Sequence, residues 1–138
     1  MVKNRKIRDD IIVINGDIYA DINFGKILDY HKKNNYDLTL CATKQMYQFP
    51  FGVINNSTKT LDFIDEKPEL NFLVNSGIYI IKPKILKFLK FNQYLDMNDF
   101  INNLKKNKYK IGVYLIYERI FDIGNKSQYS KVKDIFNN

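Results

Sequence analysis

The sequence predicts a single α/β domain with a mixed sheet, and three features carry that expectation. Strand-like and helix-like segments alternate along the chain. The strand-like ones are short, rich in β-branched residues and bounded by turn residues. The two clearest helices repeat apolar residues at helical spacing. The first strand-like segment, Ile11-Ile12-Val13-Ile14, is a continuous apolar run of the kind buried on both faces of a sheet. It ends at Asn15-Gly16-Asp17, where Asn-Gly between apolar segments also signals a hairpin. The next segment is helical, however: Phe24, Ile27, Leu28 and His31 fall at i, i+3, i+4 and i+7, and the pattern runs to Asn34-Asn35. A buried strand, a loop and then a helix opens an α/β unit.

From Asp37 to Thr43, Leu38, Leu40 and Ala42 alternate with Thr39, Cys41 and Thr43, which predicts a strand. Gly52-Val53-Ile54 runs into the turn cluster Asn55-Asn56-Ser57, and Leu61 to Ile64 reads as the returning strand. Pro68 closes it, because proline cannot donate to a ladder. Val74 to Ile81 is strand-like, and Pro83 in a first turn starts a short apolar helix through Ile85, Leu86, Phe88 and Leu89. Asp96 can cap a second helix carrying Met97, Phe100, Ile101 and Leu104, with Asp99 placed well for the dipole. Lys110 to Tyr117 alternates as a strand, Phe121 to Gly124 is a short extended piece, and Ser127 to Phe136 forms a terminal helix.

Length and composition bound the function. A chain of 138 residues, 45% hydrophobic, makes one domain with a core of its own. No apolar run is long enough to cross a bilayer, and Met1 to Asp10 is polar and charged, so neither an anchor nor a signal peptide is expected. The single cysteine, Cys41, fits a reducing cytoplasm. A formal charge of +7 raises the question of nucleic acid, but the positive charge is almost all lysine, with only Arg5, Arg8 and Arg119 beside it. Base readout and phosphate clamping favour arginine, so nucleic acid is not the expected partner, and neither is a membrane. His31 on the apolar face of its helix reads as a hydrogen-bonded core residue, and Cys41 as a small hydrophobe.

Several short motifs could carry chemistry. Asp17 puts a carboxylate just past the C-terminal end of a strand, where open α/β sheets bind ligands. Glu66-Lys67-Pro68 sets an acid beside a base at a strand end. Asp122-Ile123-Gly124 and Pro50-Phe51-Gly52-Val53 each read as a strand end or a bulge. Of these motifs, taken singly, Asn15-Gly16-Asp17 and Glu66-Lys67-Pro68 each read more readily as a turn than as a site. Taken in order with Val74-Asn75-Ser76-Gly77-Ile78-Tyr79, Asp96-Met97, Glu118 and Tyr129, they resemble the sugar-phosphate nucleotidyltransferases along nearly the whole chain. The sequence looks closest to the branch that often carries regulatory modules ahead of the transferase.

The resemblance implies a partial Rossmann-like nucleotidyltransferase domain of the GT-A type over residues 1–138, with a mixed, mostly parallel sheet flanked by helices. It implies a reaction in which a sugar 1-phosphate attacks the α-phosphate of a nucleoside triphosphate and releases pyrophosphate. Mg²⁺ would be the cofactor, since it needs only one or two protein carboxylates and takes its other oxygens from phosphate and water. By the family's pattern Asp17 and Asp122 are its ligands, Lys67 holds the sugar phosphate, Glu66 accepts hydrogen bonds from sugar hydroxyls, Gly52 allows close backbone approach, and Asn75 lines the same pocket.

Two departures from the family pattern stand out. Ile120-Phe121 occupy the stretch where the family commonly has a tryptophan. More consequentially, Gly16, Gly25, Gly52, Gly77, Gly112 and Gly124 are too widely spaced for the glycine-rich loop that binds the triphosphate in this family. The expectation is therefore a truncated or split form, inactive alone and completed by an N-terminal partner. A sugar-phosphate-binding regulatory protein without catalysis is the alternative. A glycosyltransferase of related fold is a further one, against which the Glu-Lys-Pro and Asn-Ser-Gly-Ile-Tyr segments weigh.

Overall fold

In a computed structural model of the chain, residues 7–89 and 92–124 are described. At its centre is a four-stranded sheet in the order β1-β6-β3-β7, made by β1 (Ile11–Ile14), β3 (Leu38–Gln48), β6 (Glu69–Ile81) and β7 (Ile111–Leu115). Three strands run in one direction, and β3 and β7 pair in parallel. β6 runs against them between β1 and β3, so two of the three ladders are antiparallel. Two small ribbons complete the strands: β2 (Ile18–Ala20) with β8 (Ile120–Asp122), and β4 (Gly52–Asn55) with β5 (Phe63–Glu66).

Alternation along β6 explains the layers. Tyr79 and Ile81 face one side, where they pack with Leu38, Ile85, Phe100 and Leu104 under the 3₁₀ helix Pro83–Phe88 and helix α2 (Met97–Lys106). Ile78 and Ile80 face the other, with Cys41, Ile116 and Ile27 of helix α1 (Phe24–Lys33). The result is helix, sheet, helix. Both α-helices begin where the residue pattern places them. Asn23 caps α1 by accepting from the Lys26 amide, and Asp96 caps α2 by accepting from Asn98 and Asp99.

Several expectations need correction. The Asn15-Gly16 pair does not close a hairpin, because β1 pairs with β6 and β2 with β8. β1 is not buried on both faces: among the described residues it has a hydrogen-bonded neighbour along one side only, and Ile12 and Ile14 are 37% and 43% exposed. β3 and β6 are much longer than the alternation suggests. Past Ala42 and Asn75 they continue to Gln48 and Glu69 as a two-stranded ribbon, exposed along most of its length. With no buried face there is no apolar periodicity to read. The strand expected over Leu61 to Ile64 begins two residues later, at Phe63; the short helix expected from Pro83 is present, as a 3₁₀ helix. The expected terminal helix over Ser127 to Phe136, and Tyr129 within it, lie outside the described residues.

His31 is fully buried and its Nδ1 lies 2.8 Å from the Thr39 hydroxyl, as a core histidine should. Among the described residues its Nε2 has no hydrogen-bond partner, and it sits 3.9 Å from the Asp10 carboxylate. Burial lowers its pKa, with Asp10 opposing. Burial also pushes the Cys41 thiol up to about 12, so that sulfur is no nucleophile.

Candidate functional site

The C-terminal end of β1 leads into the turn Asn15-Gly16-Asp17, closed by the Ile18 amide donating to the Asn15 carbonyl at 3.3 Å. The chain then enters β2, whose partner β8 comes from the far end of the described sequence. Ile18 pairs with Asp122 in register, and the Ile123 amide donates to the Asp17 carbonyl at 2.8 Å. The main chains of Asp17 and Asp122 are thus side by side. Asp17 belongs to the turn, so strand alternation does not fix where its exposed side chain points.

A bulge in β6 builds the floor beneath this turn. The β3–β6 register shifts between Leu40 and Ala42, leaving Ser76 and Gly77 out of the regular ladder. Gly77 takes φ of +72°, a conformation that favours glycine. Its amide donates to Asn75 Oδ1 at 3.0 Å, and its carbonyl accepts from the Asn15 amide at 2.9 Å. The Ser76 hydroxyl donates to the Cys41 carbonyl at 2.9 Å, so that this buried acceptor keeps a partner at the bulge. Asn75 Nδ2 donates to the Tyr79 hydroxyl at 2.8 Å, fixing the carboxamide from its other end.

Above the bulge lies a cleft of about 360 Å³ lined by Asn15, Asp17, Thr43, Gln45, Asn75 and Gly77 among others. A second cleft of about 530 Å³ shares Asn15, Asn75 and Gly77 and continues to Tyr79, Asp96 and Asn98. Of the residues singled out from sequence, Asp17 and Asn75 therefore share a cleft, with the Asp122 main chain adjoining through β8. Thr43 and Gln45 were not singled out. The Thr39-Cys41-Thr43 alternation, carried one step on, is the signal that puts both on the Asp17 side of the sheet.

Gly52, Glu66 and Lys67 form a separate group, and none of them lines either cleft. Gly52 opens β4 directly opposite Glu66 at the end of β5, and Lys67 follows in the left-handed region at φ of 51°. The Phe49 amide donates to the Pro68 carbonyl, tying this hairpin to the outer end of the β3–β6 ribbon. That ribbon, from Ala42–Asn75 to Gln48–Glu69, is about 20 Å long at the usual rise per strand residue.

A strand end bearing an acidic turn, beside a cleft on an α/β sheet, is the setting in which such folds bind substrates. The nucleotidyl transferase family model matches residues 1–137, and the chain belongs to that family. A Sulfolobus acidocaldarius protein named "Putative mannose-1-phosphate guanyltransferase" is 35% identical over 128 residues, covering 91% of this chain and 35% of that protein. A Bacillus subtilis glucose-1-phosphate adenylyltransferase is 32% identical over 94 residues. Among solved structures, HddC from Yersinia pseudotuberculosis superposes with a TM-score of 0.63 at 23% identity, over 97% of this chain and 58% of its own. The UTP-bound UGPase from Acinetobacter baumannii gives 0.64 at 18% identity, over 94% and 51%. These two likenesses show the fold, which is the Rossmann-like one expected. The chain spans about a third of the Sulfolobus protein and half to three-fifths of the two structures.

Proposed function

We propose that this chain carries the metal-binding and sugar-phosphate-binding part of a sugar 1-phosphate nucleotidyltransferase. The observation that supports it most is the β2–β8 pairing, which sets Asp17 and Asp122 on neighbouring main chains at a strand end beside a cleft. Two carboxylates suit Mg²⁺, a hard cation that keeps several waters and phosphate oxygens in its shell. Among the described residues no group of three or more His, Cys, Asp and Glu side chains could hold a metal, so a cage made by protein ligands alone is not the reading. Asp17 and Asp122 would hold the ion, which when bound would neutralise phosphate charge.

The other residues have roles that follow from their chemistry. An oxygen of the sugar phosphate forms a bond to the α-phosphorus of the triphosphate, while the bond to the departing pyrophosphate breaks. Such a transfer is mainly positioning and charge stabilisation. Lys67 supplies a point charge for the sugar phosphate, Glu66 accepts from sugar hydroxyls, and Gly52 leaves room beside it. Asn75 keeps a lone pair on Oδ1 and offers it to the cleft. In this reading the β3–β6 ribbon must bend to bring Glu66 and Lys67, which line neither cleft, to the Asp17 side.

The triphosphate-binding glycine-rich loop comes from outside these 138 residues. Among the described residues β1 is paired along one side only and Ile12 and Ile14 are half-exposed, which leaves room for an added strand. The test is calorimetry with mannose and glucose 1-phosphates in Mg²⁺, alongside pyrophosphate release. Saturable binding that weakens in Lys67→Ala is expected, with turnover only after a segment bearing the glycine-rich loop is added. Turnover by the isolated chain would overturn the incompleteness. No sugar phosphate binding at all would overturn the reading itself.

A further inference from the structure

We infer that Ser76 and Gly77 are positioning residues for Asp17: the β6 bulge sets the height of the Asn15-Gly16-Asp17 turn against β8. The inference rests on the proposed metal role of Asp17 but concerns a different part of the machinery. A plain β6 ladder would pair straight across at Cys41. Instead the strand bulges there, Gly77 turns left-handed, and its carbonyl takes the Asn15 amide at 2.9 Å. The contact is close in a second way. A Cβ on Gly77 would come within 2.7 Å of Asn15 Nδ2 and 2.9 Å of its Cγ. A side chain at 77 would therefore press on the Asn15 side chain and be strained at a φ of +72°.

The remaining hydrogen bonds make the bulge rigid. The Ser76 hydroxyl fixes it to β3 through the Cys41 carbonyl, and Asn75 Oδ1 takes the Gly77 amide. The turn above is fixed in its own right by the Ile18 amide and, on its outer side, by the Ile123 amide on the Asp17 carbonyl. One continuous set of bonds runs from β3 through Ser76, Gly77 and Asn15 to Asp17 and β8. Moving the bulge moves Asp17 relative to Asp122. Groups that orient metal ligands in this way, when removed, typically weaken metal affinity about 10- to 100-fold.

The experiment uses the 138-residue chain, Mn²⁺ as the probe, and Ser76→Ala, Ser76→Thr and Gly77→Ala. Amide spectra without metal report the turn through Ile18 and Ile123; Mn²⁺ titration followed by water-proton relaxation reports affinity. The expected result is that Ser76→Ala and Gly77→Ala shift the Ile18 and Ile123 amides and weaken Mn²⁺ binding about tenfold. Ser76→Thr, which keeps the hydroxyl, retains both. Ile85→Val, in the core on the α2 side, serves as a control that lowers stability without changing Mn²⁺ affinity. Should Gly77→Ala fail to fold, the Ser76 pair decides. Unmoved Ile18 and Ile123 amides in folded Ser76→Ala would overturn the positioning role, as would unchanged Mn²⁺ affinity. A wild-type chain that binds no Mn²⁺, yet shows the amide shifts in the variants, would overturn the metal reading and leave the bulge's hold on the turn standing.

Discussion

Gly52 lies directly across the β4–β5 ladder from Glu66, so close that a Cβ would meet Glu66 Oε2 and Ile64 Cγ2 at 2.9 Å. The glycine is what lets the Glu66 carboxylate fold back over its own hairpin. In Gly52→Ala the free end of Glu66 swings away and the exposed Ile64 side chain shifts, at little cost to the fold, because both lie on an exposed hairpin. The expected outcome is a stability change under about 1 kcal/mol. Sugar 1-phosphate affinity, measured by calorimetry, falls clearly. Unchanged affinity would remove Glu66 from the sugar site.

The two faces of the molecule differ sharply in what a phenylalanine is worth. Phe100 of α2 is 2% exposed in the core beneath β6, whereas Phe51 at the hairpin is 74% exposed. Phe100→Ala leaves a cavity and costs about 3–5 kcal/mol. Phe51→Ala changes stability by no more than about 0.5 kcal/mol. Urea denaturation of the two variants measures both.

At the start of α2, Asp96 accepts from the Asn98 amide at 2.8 Å and the Asp99 amide at 3.2 Å. Asp96→Ala removes the cap and costs about 1 kcal/mol, while Asp96→Asn or Asp96→Ser retains most of it. Thermal melts of the three variants are the check.

Acid sensitivity arises from His31. Its folded pKa is lowered by burial, with Asp10 and Asp37 opposing and Lys82 and Lys32 adding to the shift. Below about pH 6.5 the unfolded chain takes up a proton that the folded chain refuses, so stability falls as pH drops from there toward the lowered folded value. Asp37 adds a second, lower window. Burial raises its pKa, but Lys84 and the Lys110 amide outweigh that, so its net shift is downward. The stability it supplies is present above the ordinary carboxylate range and lost below it. Melting temperature against pH in wild type and His31→Gln tests the first window: the slope just below pH 6.5 should shrink in the variant.

Much of the fold was legible because burial leaves a period in the sequence. The stripe from Phe24 to His31 and the alternation around Cys41 each mark a buried face, the Asp96 cap marks a helix start, and each corresponds to an element. The outer β3–β6 ribbon leaves no such trace: Met46 and Phe72 lie on it 60% and 51% exposed, with no core to select a pattern. The site was legible as ordered motifs, but not as geometry. Gly77 inside the Val74 to Ile81 pattern is a bulge signal, but nothing in the sequence says that the bulge meets Asn15 of another strand. Thr43 and Gln45 reach the cleft through the same non-local pairing.

The pairing of β2 with β8 is tested most directly by paramagnetic broadening. Sub-stoichiometric Mn²⁺ added to isotope-labelled chain should broaden the amides of Asp17, Ile18 and Ile123 together. Asp17→Asn should abolish the effect on all three at once. Broadening around Asp17 that leaves Ile123 untouched, or that persists in Asp17→Asn, would contradict a shared metal site at Asp17 and Asp122.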